Sequence, residues 1–139
     1  MKDVSARGLS FSYQNKEVLK DISFDAAKGD YVGIVGPNGS GKTTLVKLIL
    51  GLLKPTRGSV SLFEKPVGDI TEWAKVGYLP QSSSFNPQFP VNVSEMVALG
   101  LLCRKSVHRS LDSSDRESIK KALSLLGIAA LGCKMMGEL

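Results

Sequence analysis

The chain is poor in the residues that mark metal centres and disulfide frameworks. Its 139 residues include only two cysteines, Cys103 and Cys133, and one histidine, His108. The cysteines are too few and too far apart for a disulfide framework or a CxxC site, and no Cys/His cluster offers the ligands of a zinc site. We therefore expect a cytosolic protein with reduced thiols, in which His108 is an exposed side chain and not a metal ligand.

Long apolar segments and runs of one charge are missing as well. No apolar run approaches the roughly 18 residues that a membrane-spanning helix needs, and "MKDVSARGLS" at the start lacks the pattern of a signal peptide. A membrane role would therefore have to come through a partner. The net charge is +5, but lysine and arginine are scattered along the chain, so we expect no nucleic acid among the partners.

The hydrophobic pattern of the first half predicts strands around one helix. "RGLSFSY" and "VLKDISFDA" alternate apolar and polar residues and are expected to form an antiparallel hairpin. "YVGIVG" and "AKVGYLP" are short and apolar on both faces, as expected of buried strands in a parallel sheet. Between them, "TTLVKLILGLL" has helical spacing and must end before Pro55, and "GSVSLF" predicts a further short strand.

The second half is predicted to be helical. Asn92 with Glu95 three residues later is typical of a helix start. A second helix is expected to begin with a capping box of Ser114 and Glu117 and to end at Gly127. Its apolar stripe comprises Ile119, Ala122, Leu123 and Leu126. The polar loop "QSSSFNPQFP" before these helices is about ten residues long, enough to suggest a functional role.

The segment "GPNGSGKT" at residues 36–43 carries the strongest functional signal. It fits G-x-x-x-x-G-K-[ST], and it lies between a predicted buried strand and a predicted helix, as a phosphate-binding loop requires. Glycine permits the positive φ angles with which backbone amides line a small concavity, and a helix N-terminus adds a positive dipole end. The amides expected to form this cradle belong to Asn38, Gly39, Ser40, Gly41 and Lys42.

Two side chains of this loop complete the predicted site. The ammonium of Lys42 is expected to reach the β- and γ-phosphates, and the hydroxyl of Thr43 to ligate Mg²⁺. The ligand class is therefore a nucleoside triphosphate with magnesium. In the alternative interpretation, Gly36, Gly39 and Gly41 merely turn the chain and Lys42 is a solvated surface charge. The motif alone does not choose among a kinase, a GTPase, a motor and a transporter ATPase.

Longer stretches, in the same order, resemble the nucleotide-binding subunits of ATP-binding-cassette (ABC) transporters. The resemblance begins with "LSFSYQNKEVLKDISFDAAKGDYVGIVGPNGSGKTTLVKLILGLLKPTRGSV". It implies that Tyr13 stacks on adenine, that Val18 packs beside the base, and that Thr44 helps to hold the α-phosphate. From the residues alone, Tyr13 is better explained as an aromatic on the face of a sheet.

The segment "VGYLPQ" resembles the one that ends in the family's glutamine loop. The resemblance implies that Gln81 touches Mg²⁺ or the attacking water, which a carboxamide can orient without taking its proton. The next stretch, "SSSFNPQFPVNVSEMVALGL", is similar to ABC ATPases for zinc and manganese uptake, and iron-chelate importers share part of it. We therefore expect a metal-ion importer. The alternatives are a soluble ABC-type ATPase without a transport role, of the iron–sulfur assembly type, and a nonenzymatic nucleotide-binding remnant.

The resemblance also implies partners and a location. The partners would be a polytopic membrane permease, a second ATP-binding subunit in a homodimer and, indirectly, an extracytoplasmic metal-binding protein. The chain would lie at the cytoplasmic face of the membrane through the permease. Hydrolysis in this family uses a Leu-Ser-Gly-Gly-Gln motif and an apolar strand ending in Asp-Glu, of which we find at most the first leucine, Leu139. We therefore expect a transport-coupled ATPase in the full-length subunit, with Lys42 and Gln81 as catalytic residues, and, in this chain, an incomplete domain without ATPase activity on its own.

The implied fold is α/β: a partial P-loop NTPase core of the three-layer α/β/α type, with an N-terminal antiparallel β subdomain and the beginning of a helical subdomain. The strands that flank "YVGIV" in this family follow the position of Leu139, so open apolar edges and poor solubility are expected. The three predicted parts are the antiparallel β part at 1–30 and 55–70, the P-loop core at 30–54 and 71–82, and the helical subdomain at 88–139.

Overall fold

A computed structural model describes residues 2–81, 86, 88–101 and 110–139. The chain divides into two compact units, Met1–Thr71 and Glu72–Leu139. The predictions for Cys103 and His108, and most of those for the loop after Gln81, lie outside the described residues.

The first unit is built on an antiparallel sheet. Its four strands have the order β2-β1-β3-β4, and β1 pairs with both β2 and β3 in antiparallel register. The predicted hairpin and the predicted third strand are therefore confirmed. The strands are β1 (Lys2–Tyr13), β2 (Lys16–Ala27), β3 (Arg57–Leu62) and β4 (Lys65–Pro66).

One helix covers a face of this sheet. Helix α1 spans Lys42–Ile49 and confirms the helix predicted after the glycine loop. Leu45 and Leu48 on α1 belong to one buried cluster with sheet residues such as Leu9 and Leu19. Burying such leucine side chains contributes roughly 1.5–3 kcal/mol each. This apolar contact fixes the start of α1, and with it the end of the glycine loop, against β1 and β2.

The two predicted buried strands are absent from the described structure. Residues 31–35 form no strand, and Tyr31 and Val35 are 100% and 95% exposed. Residues 74–80 form no strand either; a 3₁₀ turn at Trp73–Lys75 opens that segment, and Leu79 is 93% exposed. A strand exists only where a neighbour satisfies its N–H and C=O groups, and no described segment pairs with either one.

Two ion pairs and a hydroxyl join the ends of β1 and β2 at Asp25. Its carboxylate accepts hydrogen bonds from Arg7 at 2.7 and 2.8 Å, from Lys2 at 2.7 Å and from Ser5 at 2.7 Å. These donors, above all Arg7, hold the pKa of Asp25 well below its usual value. The cluster therefore favours a charged Asp25 and links the two strands.

The described part of the second unit contains two α-helices, and each begins with a capping box that includes an acidic residue. Helix α2 spans Val93–Leu99 and begins with the predicted capping box of Asn92 and Glu95, which is confirmed. Helix α3 spans Ser113–Leu125, and its capping box consists of Asp112 and Asp115. The predicted box of Ser114 and Glu117 is wrong. Two carboxylates accept the free amides here, and charged acceptors are favoured over a hydroxyl near the positive end of the helix dipole.

The apolar stripe of α3 is partly confirmed. Ile119 and Leu123 are buried together with Val93 of α2, but Leu126 is 68% exposed because the helix ends at Leu125. Gly127 has a φ of 69°, which confirms it as the C-terminal stop. No described helix reaches the length and hydrophobicity required to span a lipid bilayer.

Candidate functional site

The predicted phosphate-binding loop lies in the first unit, between residues 31–35 and α1. Gly36, Asn38, Gly39 and Ser40 are exposed to solvent. The following helix is held against the sheet through its buried leucines. The loop is therefore exposed, with one end anchored to the sheet through α1, so a ligand can reach it from solvent.

Two glycines in this loop adopt backbone angles that other residues avoid. Gly39 has a φ of 80° and Gly41 a φ of 90°. A Cβ atom on Gly41 would lie 2.9 Å from Leu19 Cδ2 and 3.1 Å from Val18 Cγ1, whereas one on Gly39 would meet nothing within 4 Å. Gly39 thus serves the turn alone, while Gly41 also allows β2 to approach the start of the helix.

Gly36 is restricted for another reason. A Cβ atom at this position would lie 2.8 Å from the hydroxyl oxygen of Ser40. The two residues therefore face each other across the turn, and only a glycine leaves the Ser40 side chain in place.

The amides at the start of α1 are free to bind an anion. Gly41 caps the helix without any side-chain hydrogen bond, and the first intrahelical bond runs from the Leu45 amide to the Gly41 carbonyl at 2.8 Å. The amides of residues 41–44 therefore have no acceptor within the helix. Ser40 differs, because its amide donates to the Pro37 carbonyl at 3.2 Å. The predicted role of Ser40 in the cradle would require that bond to be exchanged for one to the ligand.

The ammonium of Lys42 folds back over the loop. Its Nζ donates to the carbonyl oxygens of Gly36 at 2.8 Å and Pro37 at 2.7 Å. The positive charge is thereby held at the beginning of the loop, on the carbonyls of its first two residues. Sequence reasoning did not predict these two acceptors, because a motif specifies side chains and leaves the carbonyl directions open.

The two threonines after Lys42 differ in exposure. Thr43 is exposed, as expected of a side chain that would ligate Mg²⁺, whereas Thr44 is 9% exposed. The predicted contact of Thr44 with the α-phosphate would therefore be made from a nearly buried position at the base of the loop.

The residues predicted to bind the base lie on the hairpin. Tyr13 at the end of β1 is 47% exposed and packs edge-on against Phe11, with ring centroids 4.7 Å apart and an interplanar angle of 88°. Val18 on β2 lies beside Gly41. The structure thus brings Val18 to the end of the phosphate loop and leaves part of the Tyr13 ring available. Sequence reasoning missed Leu19, because no sequence motif indicates that its side chain lies close to Gly41.

Gln81 belongs to the second unit and is exposed. Nothing in that unit tests its predicted contact with Mg²⁺ or water. Among the described residues no cluster of three or more His, Cys, Asp or Glu side chains could hold a metal ion.

Comparison with known proteins identifies the family. The sequence pattern described as "ABC transporter" matches residues 19–138. The chain is 40% identical to the zinc uptake system ATP-binding protein ZurA of Listeria monocytogenes, covering 99% of this chain and 54% of that protein. It is 37% identical to the high-affinity zinc uptake system ATP-binding protein ZnuC of Bacillus subtilis, covering 100% and 60%. The manganese transport system ATP-binding protein MntB of Bacillus subtilis is 33% identical, covering 100% and 55%.

Solved structures show the same fold. An ABC transporter in an inward-facing conformation matches with a TM-score of 0.80 and 28% identity, over 99% of this chain and 50% of that one. A nucleotide-free ATP-binding cassette from an ABC transporter matches with a TM-score of 0.76 and 25% identity, over 100% of this chain and 59% of that one.

The chain spans about half the length of the curated relatives it matches. The family pattern nevertheless covers most of the chain, and both similar structures belong to ABC transporters. The α/β class expected from the sequence is therefore confirmed. The chain belongs to the ABC transporter family and has the P-loop NTPase fold of its ATPase domain.

Proposed function

We propose that the chain binds ATP with Mg²⁺ as part of the ATP-binding subunit of an ABC transporter for metal-ion uptake. The observation that carries nucleotide binding is the loop itself: free amides at the start of α1, two glycines at positive φ, and the Lys42 ammonium held by the Gly36 and Pro37 carbonyls at the beginning of the loop. These groups present several donors and one positive charge to a single small volume. A triphosphate chain is the ligand that such a cup accommodates best.

Each predicted residue has a distinct task in this proposal. Lys42 exchanges its bonds to Gly36 and Pro37 for phosphate oxygens, and this exchange retains its charge-assisted hydrogen bonds. Thr43 and Gln81 are the proposed ligands of Mg²⁺, which supplies charge neutralisation when bound. The exposed part of Tyr13 stacks on the base, which is worth roughly 1–3 kcal/mol for aromatic platforms.

The relatives favour uptake of zinc or manganese. The names of three of them refer to zinc uptake or manganese transport, which supports a transport role over a soluble ABC-type ATPase. The proposed partners are a membrane permease, a second ATP-binding subunit and an extracytoplasmic metal-binding protein, at the cytoplasmic face of the membrane. The gene of the complete subunit should restore zinc- or manganese-dependent growth to cells that lack it, and growth restored equally by the Lys42→Ala gene would contradict the proposal.

Calorimetry with ATP and Mg²⁺ tests nucleotide binding directly. Lys42→Ala should weaken binding at least about 30-fold, because a hydrogen-bonded charge contributes about 2 kcal/mol or more in such a site. Lys47→Ala removes the same charge from the same helix, away from the loop, and should bind like the parent chain. Equal affinities for the two variants would contradict the proposed site.

A further inference from the structure

A cavity lies within the Glu72–Leu139 unit, between α2, α3 and the segment that follows α3. It has a volume of about 440 Å³, which falls within the roughly 300–1,000 Å³ of small-molecule sites. Its apolar walls are formed by Leu111, Ile119, Leu123 and Ala129.

Most polar side chains of the cavity are already engaged. Asn92 and Glu95 hold each other in the capping box of α2: the Asn92 backbone N–H donates to Glu95 Oε2 at 2.9 Å, and the Glu95 backbone N–H donates to Asn92 Oδ1 at 2.9 Å. The Ser94 hydroxyl donates to the Gly132 carbonyl at 2.9 Å. Glu95 Oε2, Asn92 Oδ1 and the Ser94 hydroxyl are therefore engaged within the protein.

Two cations at the cavity are uncommitted. Arg116 and Lys120 line it from α3, one turn apart, and both are exposed. In the described part of the chain neither side chain forms a hydrogen bond or an ion pair. Like charges at this spacing on a helix repel each other. Glu95 is the one acidic residue of the lining, and its carboxylate is already held by the Asn92 amide.

We propose that this cavity binds a small anionic amphiphile, with its apolar body against Leu111, Ile119 and Leu123 and its carboxylate between Arg116 and Lys120. The apolar walls match the apolar body of such a ligand, and the two unpaired cations match its negative charge. The cavity shares no lining residue with the proposed nucleotide site, so either proposal can fail without the other.

Cys133 provides the readout, because it lines the cavity and is exposed. In a Cys103→Ser background it is the only thiol of the sequence. The probe is decanoate below its micelle concentration, and the matched neutral probe is decanol. Decanoate should slow alkylation of Cys133 in a saturable manner, and decanol should protect it markedly less.

Neighbouring lysines of α3 give a matched pair of variants. Lys120→Gln should weaken protection by decanoate about threefold, as for loss of one exposed ion pair, and Arg116→Gln together with Lys120→Gln about tenfold. Lys121→Gln removes the same charge outside the cavity lining and should have no effect. Circular dichroism would verify that each variant is folded. No protection by decanoate, equal protection by decanol, or equal losses for Lys120→Gln and Lys121→Gln would overturn the proposal.

Discussion

Replacing Gly41 by alanine should destabilise the first unit more than the same replacement at Gly39. Both positions have positive φ angles, 90° and 80°, and an alanine there costs about 1–2 kcal/mol in backbone strain. Only at Gly41 does the added Cβ atom meet neighbours, at 2.9 Å from Leu19 Cδ2 and 3.2 Å from the Val18 carbonyl oxygen. Overpacking of this kind costs typically about 1–3 kcal/mol more.

Thermal unfolding in the absence of ligand measures the difference. At a few degrees of midpoint shift per kcal/mol for chains of this size, Gly41→Ala should unfold about 3–10 °C below Gly39→Ala. Both variants should also bind ATP with Mg²⁺ more weakly, because each changes the loop. A Gly39→Ala variant that is as unstable as Gly41→Ala would refute the reasoning.

A double-mutant cycle isolates the contact with Leu19. Leu19→Ala alone removes buried methyl groups and should cost about 2–5 kcal/mol. It also removes the Cδ2 atom that the new Cβ would meet, so the double variant should be more stable than the sum of the single effects predicts. A coupling of at least about 0.5 kcal/mol is expected for residues in contact. Strict additivity would show that the close approach does not limit this position.

Three further predictions concern other parts of the chain. Asp25→Asn should remove an acid-sensitive part of the stability, because a carboxyl whose pKa is lowered in the folded state stabilises that state above the unfolded pKa of about 3.9 and loses this contribution as the pH falls. The control variant Asp3→Asn should retain most of the acid-induced loss of stability. Identical acid unfolding of the parent chain and Asp25→Asn would contradict this prediction. Asp112→Ala should lower the free energy of unfolding measured in urea by about 1 kcal/mol, because it removes the cap of α3. Ser114→Ala should lower it far less, and a larger effect of Ser114→Ala than of Asp112→Ala would contradict the prediction. The chain should release no phosphate from ATP above background, and Mg²⁺-dependent turnover that Lys42→Ala abolishes would disprove that expectation.

The elements that the sequence predicts well are those whose partners are local. The hairpin of β1 and β2 needs only its own alternation and a turn, and the cap of α2 needs only Asn92 and Glu95. The start of α3 was missed by two residues, because two candidate boxes overlap there and the carboxylates of Asp112 and Asp115 form the better one. Such competition between neighbouring caps is decided by hydrogen bonds that a pattern does not contain.

The segments at 31–35 and 74–80 show the limit of pattern reasoning. Their composition predicts burial on both faces, yet Val35 and Leu79 are 95% and 93% exposed. An apolar run indicates that burial would stabilise the segment, but it does not supply the neighbouring strand that would cover it. The predicted roles of Tyr13, Val18 and Gln81 likewise remain predictions, since they depend on a ligand or on distant residues that the pattern does not supply.

The contacts that hold the candidate phosphate-binding loop lie outside those two segments. Its turn is set by Gly39 and Gly41, its far side by the bonds of Lys42 to Gly36 and Pro37, and its anchor by Leu45 against the sheet. All of these contacts lie within the first unit. Substitutions in the exposed apolar segment at 31–35 should therefore alter solubility, whereas substitutions at Gly41 or Lys42 should alter affinity for the triphosphate. We therefore expect binding and solubility to be governed by separate residues, because the proposed donors for phosphate, the loop amides and the Lys42 ammonium, lie outside residues 31–35 and are positioned by short-range contacts.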